Sequence, residues 1–287
     1  MSLKKDINFI GMRNSAFAVS ALLMIFAAIS LISGIKWGID FTGGTVAQLK
    51  FEKPADISAL RKIFSEYKPV IQEYPGAKTF ILKFSQSDEM ENLSAAIVEK
   101  LKEAYPDNKA EIERFEMVGP VVGDFLKNAA AYAFGGALLG IILYVALRFK
   151  GSMWGIAAVA AIIHDVLITF GILVAFGTSV DLIVVTSLLF IAGYSVNDTI
   201  VIYDRIRENL RKAQRQETSA IFNSSITQTL SRTLITSLTT VMVVVCLLVF
   251  GGEIIHNFAQ SLLIGIVVGT YSSVFIASPI VYLKLKK

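Results

Sequence analysis

The stretch Leu182-Ile-Val-Val-Thr-Ser-Leu-Leu-Phe-Ile-Ala-Gly-Tyr-Ser-Val-Asn-Asp-Thr-Ile-Val-Ile-Tyr203 decides the architecture. It contains no Lys, Arg or Glu and a single Asp, Asp198. As a helix rising 1.5 Å per residue it reaches about 33 Å, enough to cross the hydrocarbon core of a bilayer. Working outward, five more apolar runs of similar length stand at about 15–35, 129–147, 153–176, 226–250 and 258–283. The whole chain is 54% hydrophobic and only 17% charged, too apolar for one soluble domain. Its mean hydropathy is +0.61. These runs predict a multi-spanning α-helical membrane protein with six transmembrane helices. The first run follows Lys4, Lys5 and Arg13, but its apolar core exceeds the roughly 7 to 15 residues of a signal peptide and no small-x-small cleavage site follows it. It is read as a retained anchor.

Orientation follows from the short loops, because Lys and Arg accumulate on the cytoplasmic side. Arg148 and Lys150 lie between the second and third runs. Arg205, Arg207, Arg211, Lys212 and Arg215 follow the fourth, and Lys284, Lys286 and Lys287 follow the sixth. The loops at 177–181 and 251–257 carry no Lys or Arg. This places segment 1–14 and both termini in the cytoplasm, 36–127 outside the membrane, and 128–287 as a five-helix transmembrane bundle.

The exported segment holds 15 of the 23 acidic residues. Gly44 to Phe51 alternates like a strand, and 56–67 follows as a helix with Asp56 near its start and apolar Ile57, Leu60, Ile63 and Phe64. Strands at 70–74 and 78–84 flank Pro75-Gly76, a pair suited to a tight turn. A helix over 87–105, capped by Ser87 or Asp88, precedes a strand over 110–117. The order βαββαβ is the ferredoxin-like α+β arrangement. The segment has no histidine, cysteine or phosphate-binding loop, so it reads as a binding or coupling module with a solvated acidic face, and nothing points to an enzyme.

The lone cysteine, Cys246, lies inside an apolar run, which leaves no disulfide framework and no Cys/His metal site. No cofactor is expected. The formal charge of +4 follows membrane topology and forms no nucleic-acid stripe. The charged segment 204–218 reads mainly as a solvated positive-inside loop, with contact to anionic headgroups or a cytoplasmic partner as the other reading.

Function is best sought where polarity is expensive. A charged side chain at the centre of a span costs about 2.5 to 3.5 kcal/mol on insertion scales. His164-Asp165 stands near the middle of the third run, Asn197-Asp198 near the end of the fourth, and Arg232 near the start of the fifth. Asp198 and Arg232 fall at matching depth, roughly 8 to 9 Å inside the inner boundary. Facing each other they would form either a structural clamp or part of a proton or ion path, and the other reading is that Arg232 snorkels to the headgroups and meets no partner. His164 and Asp165 point about 100° apart and cannot both face one partner. Asp165 is the better candidate, and His256 in an outer loop reads as interfacial. Gly136-Ala-Leu-Leu-Gly140 and Gly265-Ile-Val-Val-Gly269 would let backbones approach between the second and sixth spans or against a partner.

Three motifs carry a resemblance: Trp37-Gly-Ile-Asp-Phe-Thr-Gly-Gly-Thr45, His164-Asp-Val166, and Gly193-Tyr-Ser-Val-Asn-Asp-Thr-Ile-Val-Ile-Tyr-Asp-Arg-Ile-Arg-Glu-Asn209. Together they resemble the SecF branch of the SecD/SecF family, within the RND superfamily, over the whole chain. The resemblance implies an RND-type half of six spans in the bacterial inner membrane. It implies a separate SecD, the SecYEG channel, exported preprotein and membrane lipids as partners, and use of the proton motive force to assist translocation after SecA has acted. Asp198, Arg232, Asp165 and Asn197 carry over as proton-path residues, and Gly38, Ile39, Asp40, Phe41, Thr42, Gly43 and Gly44 as the family motif. The rivals are a transporter half moving a lipid or small molecule, and a structural subunit that stabilises SecD.

Overall fold

The computed structural model describes residues 7–73, 78–84, 93–149, 152–212 and 216–285. Pro75-Gly76, the caps Ser87 and Asp88, and the topogenic Lys4, Lys5, Lys150, Arg215, Lys286 and Lys287 lie outside the described residues. Two compact units emerge, one of residues 37–131 and one formed by 1–36 with 132–287.

In the smaller unit a short turn of helix, α2 (Ile39–Thr42), leads into β1 (Gly44–Phe51). Then come α3 (Ile57–Ile63), β2 (Val70–Glu73), β3 (Thr79–Phe84), α4 (Leu93–Ala104) and β4 (Ala110–Val118). The strands form one antiparallel sheet in the order β2-β3-β1-β4, the order a ferredoxin-like βαββαβ chain requires. Asp56 caps α3 by accepting from the Ser58 N–H at 2.9 Å. Ala47, Leu49 and Phe51 of β1 meet Phe80, Leu82 and Phe84 of β3 and Leu60, Ile97 and Leu101 of the helices in one core. Odd-numbered residues of β1 point into it because side chains alternate along a strand.

The motif glycines have a backbone reason. Gly43 closes the α2 turn with φ +69°, and Gly44 follows at φ +128°. A Cβ on Gly44 would stand 2.5 Å from the carbonyl oxygen of Phe84. Only glycine permits both the turn and the pairing of β1 with β3.

The larger unit contains α1 (Arg13–Ile32), the main part of α5 (Pro120–Phe149), α6 (Ser152–Ala175), α7 (Leu182–Lys212), α8 (Thr218–Phe250) and α9 (Gly252–Ser272). A π-helical turn (Ser273–Ala277) and α10 (Ser278–Leu285) complete it. Among the described residues, six helices are long and apolar enough to cross a membrane. The sixth span is thus interrupted, where the sequence suggests one helix over 258–283. Pro279 accounts for the break, since it lacks an N–H and its ring crowds the preceding turn. The Ser278 hydroxyl donates to the Ser273 carbonyl at 2.9 Å, and the buried Tyr203 hydroxyl donates to the Ala277 carbonyl at 3.1 Å. α7 and α8 run past the apolar segments, because the charged residues that follow Tyr203 favour helix, and because Ile221, Phe222 and Ser225 bury one face of α8 before Ile226.

α9 packs against α6, α7 and α8, and α1 lies against α6. The close fit of α9 on α7 comes from Gly265, whose Cβ would run into the Ile191 side chain, and Gly269, whose Cβ would stand 3.0 Å from Ser195 Cβ. Gly265 and Gly269 therefore seat the fourth span on the sixth, rather than the second. Around Gly136 and Gly140 of α5 nothing among the described residues lies within 4 Å of a Cβ position.

Candidate functional site: a buried polar lane

Asp165 of α6 is fully buried. It survives there because donors from two other helices reach it. Ser195 of α7 donates to Oδ2 at 2.5 Å and Ser272 of α9 to the same oxygen at 2.6 Å. His164 Nδ1 lies 2.8 Å from Oδ1. The neighbouring side chains thus touch each other while facing different partners. Asp165 turns toward α7 and α9, and the His164 ring stacks on Tyr271 at 6.5 Å. Tyr271 in turn donates to the Ala16 carbonyl of α1 at 2.9 Å.

Three residues after Ser195, on the same face of α7, stands Asp198, which is 5% exposed. It lies beside Ser237 of α8, whose hydroxyl shares a 2.8 Å hydrogen bond with Thr270 of α9. Thr270 and Ser272 therefore carry polar groups of α9 toward Asp198 and Asp165 respectively. Gly269 leaves room between them, since its Cβ would stand 3.5 Å from Asp165 Oδ2. The result is a lane of carboxylates and hydroxyls enclosed by α6, α7, α8 and α9. Among the described residues, three buried polar atoms of this unit have no hydrogen-bond partner: His164 Nε2, Thr169 Oγ1 and Thr233 Oγ1. Thr169 is one turn beyond Asp165 on α6, and Thr233 one turn before Ser237 on α8.

Arg232 is exposed in this chain and forms no ion pair among the described residues, although it is close enough to Asp198 to feel its charge. The helix face explains the difference from the expected pair. The buried edge of α8 at this level is Thr229, Thr233 and Ser237, repeating every four residues, and Arg232 sits about 100° round from Thr233. Asn197 is also exposed, on the outward side of α7 with Gly193. The structure therefore brings Asp165 and Asp198 to one lane, and sets Arg232 and Asn197 on outward faces. Gly38 and Gly43 cap the α2 turn and Gly44 opens β1, all within the sheet unit.

Sequence reasoning missed Ser195, Ser237, Thr270 and Ser272. Ser195 was findable, since it precedes Asp198 by three residues in an apolar run, and the cluster Thr270-Tyr-Ser-Ser273 breaks the last run in the same way.

The family model for "Protein export membrane protein SecD/SecF, C-terminal" matches residues 97–287, and that for the "SecD/SecF GG Motif" matches 28–55. A protein translocase subunit SecF of Calditerrivibrio nitroreducens is 43% identical over 286 residues, covering 97% of this chain and 94% of the relative. The corresponding subunit of Escherichia coli O157:H7 is 42% identical, covering 92% and 83%. Among solved structures, the translocon-associated SecDF of Thermus thermophilus superimposes with a TM-score of 0.88 at 35% identity over 99% of this chain. The match spans only 39% of that longer SecDF chain. With both family models, near full-length relatives and the shared fold in agreement, the chain belongs to the SecD/SecF family of protein export membrane proteins.

Proposed function

We propose that this chain is the SecF-type subunit of a bacterial protein translocase. It resides in the inner membrane with both termini cytoplasmic and works beside a SecD-type subunit. In this reading it assists late, post-SecA movement of preprotein through a SecYEG-type channel, driven by the proton motive force. The observation that carries the reading is the pair of carboxylates, Asp165 and Asp198, enclosed in one hydroxyl-lined lane of a bundle that matches a translocon-associated structure.

The chemistry is that of a gated proton. A carboxylate inside a span is tolerable when hydroxyls solvate it or when it takes up a proton, so its occupancy is tied to its access to water. Buried hydroxyl and imidazole atoms that have no partner among the described residues, such as Thr233 Oγ1 and His164 Nε2, are free to extend a relay from the two carboxylates. Arg232, exposed near Asp198, supplies a positive charge that opposes cation leakage at that end. One proton crossing 100 mV makes about 2.3 kcal/mol available. That is enough to bias a two-state movement by roughly 50-fold if the two states differ in proton access.

The test is reconstitution of this chain with its SecD partner and the channel in proteoliposomes, with export stimulation measured under an imposed proton or sodium gradient. Stimulation that follows the proton gradient and is lost in Asp198→Asn supports the reading. Stimulation indifferent to both gradients removes it. Orientation is tested separately, by labelling Glu66→Cys and Arg211→Cys in a Cys246→Ser background. Only the first should react from outside intact spheroplasts.

A further inference from the structure

A second charged site lies away from the lane, where α5 ends and α7 continues past its apolar segment. Phe149 is buried, stacked on Trp154 at 6.4 Å and edge-on to Tyr203 at 5.4 Å. Two guanidiniums share its ring, Arg148 at 5.8 Å and Arg207 at 5.7 Å from the centroid. Beside them opens a cavity of about 460 Å³ lined by Arg148, Asp204, Arg207, Glu208, Arg211 and Lys212. Four cations face two carboxylates there.

Both carboxylates are already engaged. Asp204 pairs with Arg148 at 2.5 Å, and Glu208 pairs with Lys212 at 2.6 Å and with Arg205 at 2.7 Å. Among the described residues no carboxylate pairs with Arg207 or Arg211. Two cations gathered on one aromatic ring repel each other, and an anion in the adjoining cavity relieves that repulsion. Arg148 stands where the apolar run of α5 ends, and Asp204 to Lys212 follow directly on the apolar run of α7, which sets the cavity at headgroup depth. On α5, Tyr144 and Leu147 just before Arg148 are exposed and apolar enough to lie against acyl chains.

We propose that this cleft binds the phosphodiester headgroup of an anionic phospholipid, with Arg207 and Arg211 on the phosphate and the acyl chains along Tyr144 and Leu147. Guanidinium is the side chain suited to such a group, because its planar fork donates to two phosphate oxygens at once. Free phosphate shares the headgroup chemistry but has no use for the apolar strip of α5. The site needs only that the bundle sit in a membrane, so it stands or falls independently of the translocase reading.

The experiment measures lipid retention by native mass spectrometry on the full chain in mixed phosphatidylglycerol and phosphatidylcholine nanodiscs. The chain should retain phosphatidylglycerol selectively. Each cation removed should weaken that retention about fivefold, so Arg207→Gln with Arg211→Gln should lose about 25-fold while phosphatidylcholine is unaffected. Replacing both by Lys keeps the charge but loses the planar fork, and should leave retention between that of the parent chain and that of the double Gln variant. Asp204→Asn removes an opposing charge and should tighten retention, which decides the matter even if the double Gln variant fails to fold. Equal retention of the two lipids, displacement by millimolar inorganic phosphate, or an Asp204→Asn variant with unchanged or weaker retention overturns the assignment.

Discussion

Ser195 donates to Asp165 across the contact of α6 with α7, at 2.5 Å, and Ser272 reaches the same oxygen from α9. Three helices are thus tied to one carboxylate oxygen. Ser195→Ala and Ser272→Ala should each lower thermal stability by about 1.5 to 3 kcal/mol, the range for hydrogen bonds to charged groups. Because the hydroxyls share an acceptor, the double variant should depart from additivity by about 0.5 kcal/mol or more. Strict additivity in detergent melts would show that the two bonds are not coupled through Asp165.

Asp198 and Arg232 are separable by the same logic. Arg232→Gln removes an exposed charge that forms no ion pair among the described residues, so stability should change by no more than about 0.5 kcal/mol. Asp198→Asn should abolish export stimulation while assembly with a SecD-type partner is retained. If the two residues were instead a clamp, both single changes would weaken assembly, and Asp198→Asn combined with Arg232→Gln would restore export. Restored export in that double variant excludes the proton role of Asp198.

The seat of α9 on α7 predicts a compensating pair. Gly265→Ala places a methyl group against the Ile191 side chain and should destabilise by about 1 to 3 kcal/mol. Ile191→Ala alone opens a cavity and is also unfavourable. The combination should be more stable than either loss predicts, as read by thermal unfolding. Additive losses would mean that the glycine serves something other than this contact.

In the sheet unit, burial pushes the Tyr105 phenol above its ordinary value of about 10, with the charge of Asp56 adding to the effect. The folded chain therefore holds the phenolic proton more tightly than the unfolded chain does. The stability this contributes is complete below about pH 10 and is lost as pH rises beyond it. The Tyr105 hydroxyl is buried without a hydrogen-bond partner among the described residues. Tyr105→Phe should then leave neutral-pH stability unchanged or raise it by up to about 2 kcal/mol, and should reduce the alkaline loss. Hydrogen exchange of the β3 and β1 amides across pH 8 to 11 reads both effects.

Much of the fold was legible because the signals were local and strong. Gly44 to Phe51 reads as a strand from alternation alone, and Asp56 announces the start of α3, as the structure has it. Apolar runs locate six spans but do not give the ends of their helices, since nothing in hydropathy stops α7 at Tyr203 when the charged residues that follow also favour helix. The lane was half legible. Asp165 and Asp198 stand out because a charge in an apolar run is costly, whereas Ser237 and Thr270 hardly change the hydropathy of theirs. Asp198 and Arg232 share a depth but form no ion pair among the described residues, because they differ in azimuth. Depth along a helix can be counted from sequence, but the direction a residue faces depends on which edge of α8 the bundle buries, and that edge is chosen by small hydroxyl residues.

The turn at Ser273 to Ala277 has a genealogical consequence. A π-helical turn holds one residue more than the α-helical turn it replaces, so it is the mark a single-codon insertion leaves when a helix absorbs it without breaking. Upstream of it, Gly265, Gly269 and Ser272 keep their facing toward α7 and Asp165. Downstream, the register of α10 is rotated by about 100° from where an uninterrupted helix would put it. Shortened relatives that lack one residue here and also lack the counterpart of Pro279 would have a straight final helix with the same upstream face, and their counterpart of Tyr203 would have no displaced carbonyl to hold.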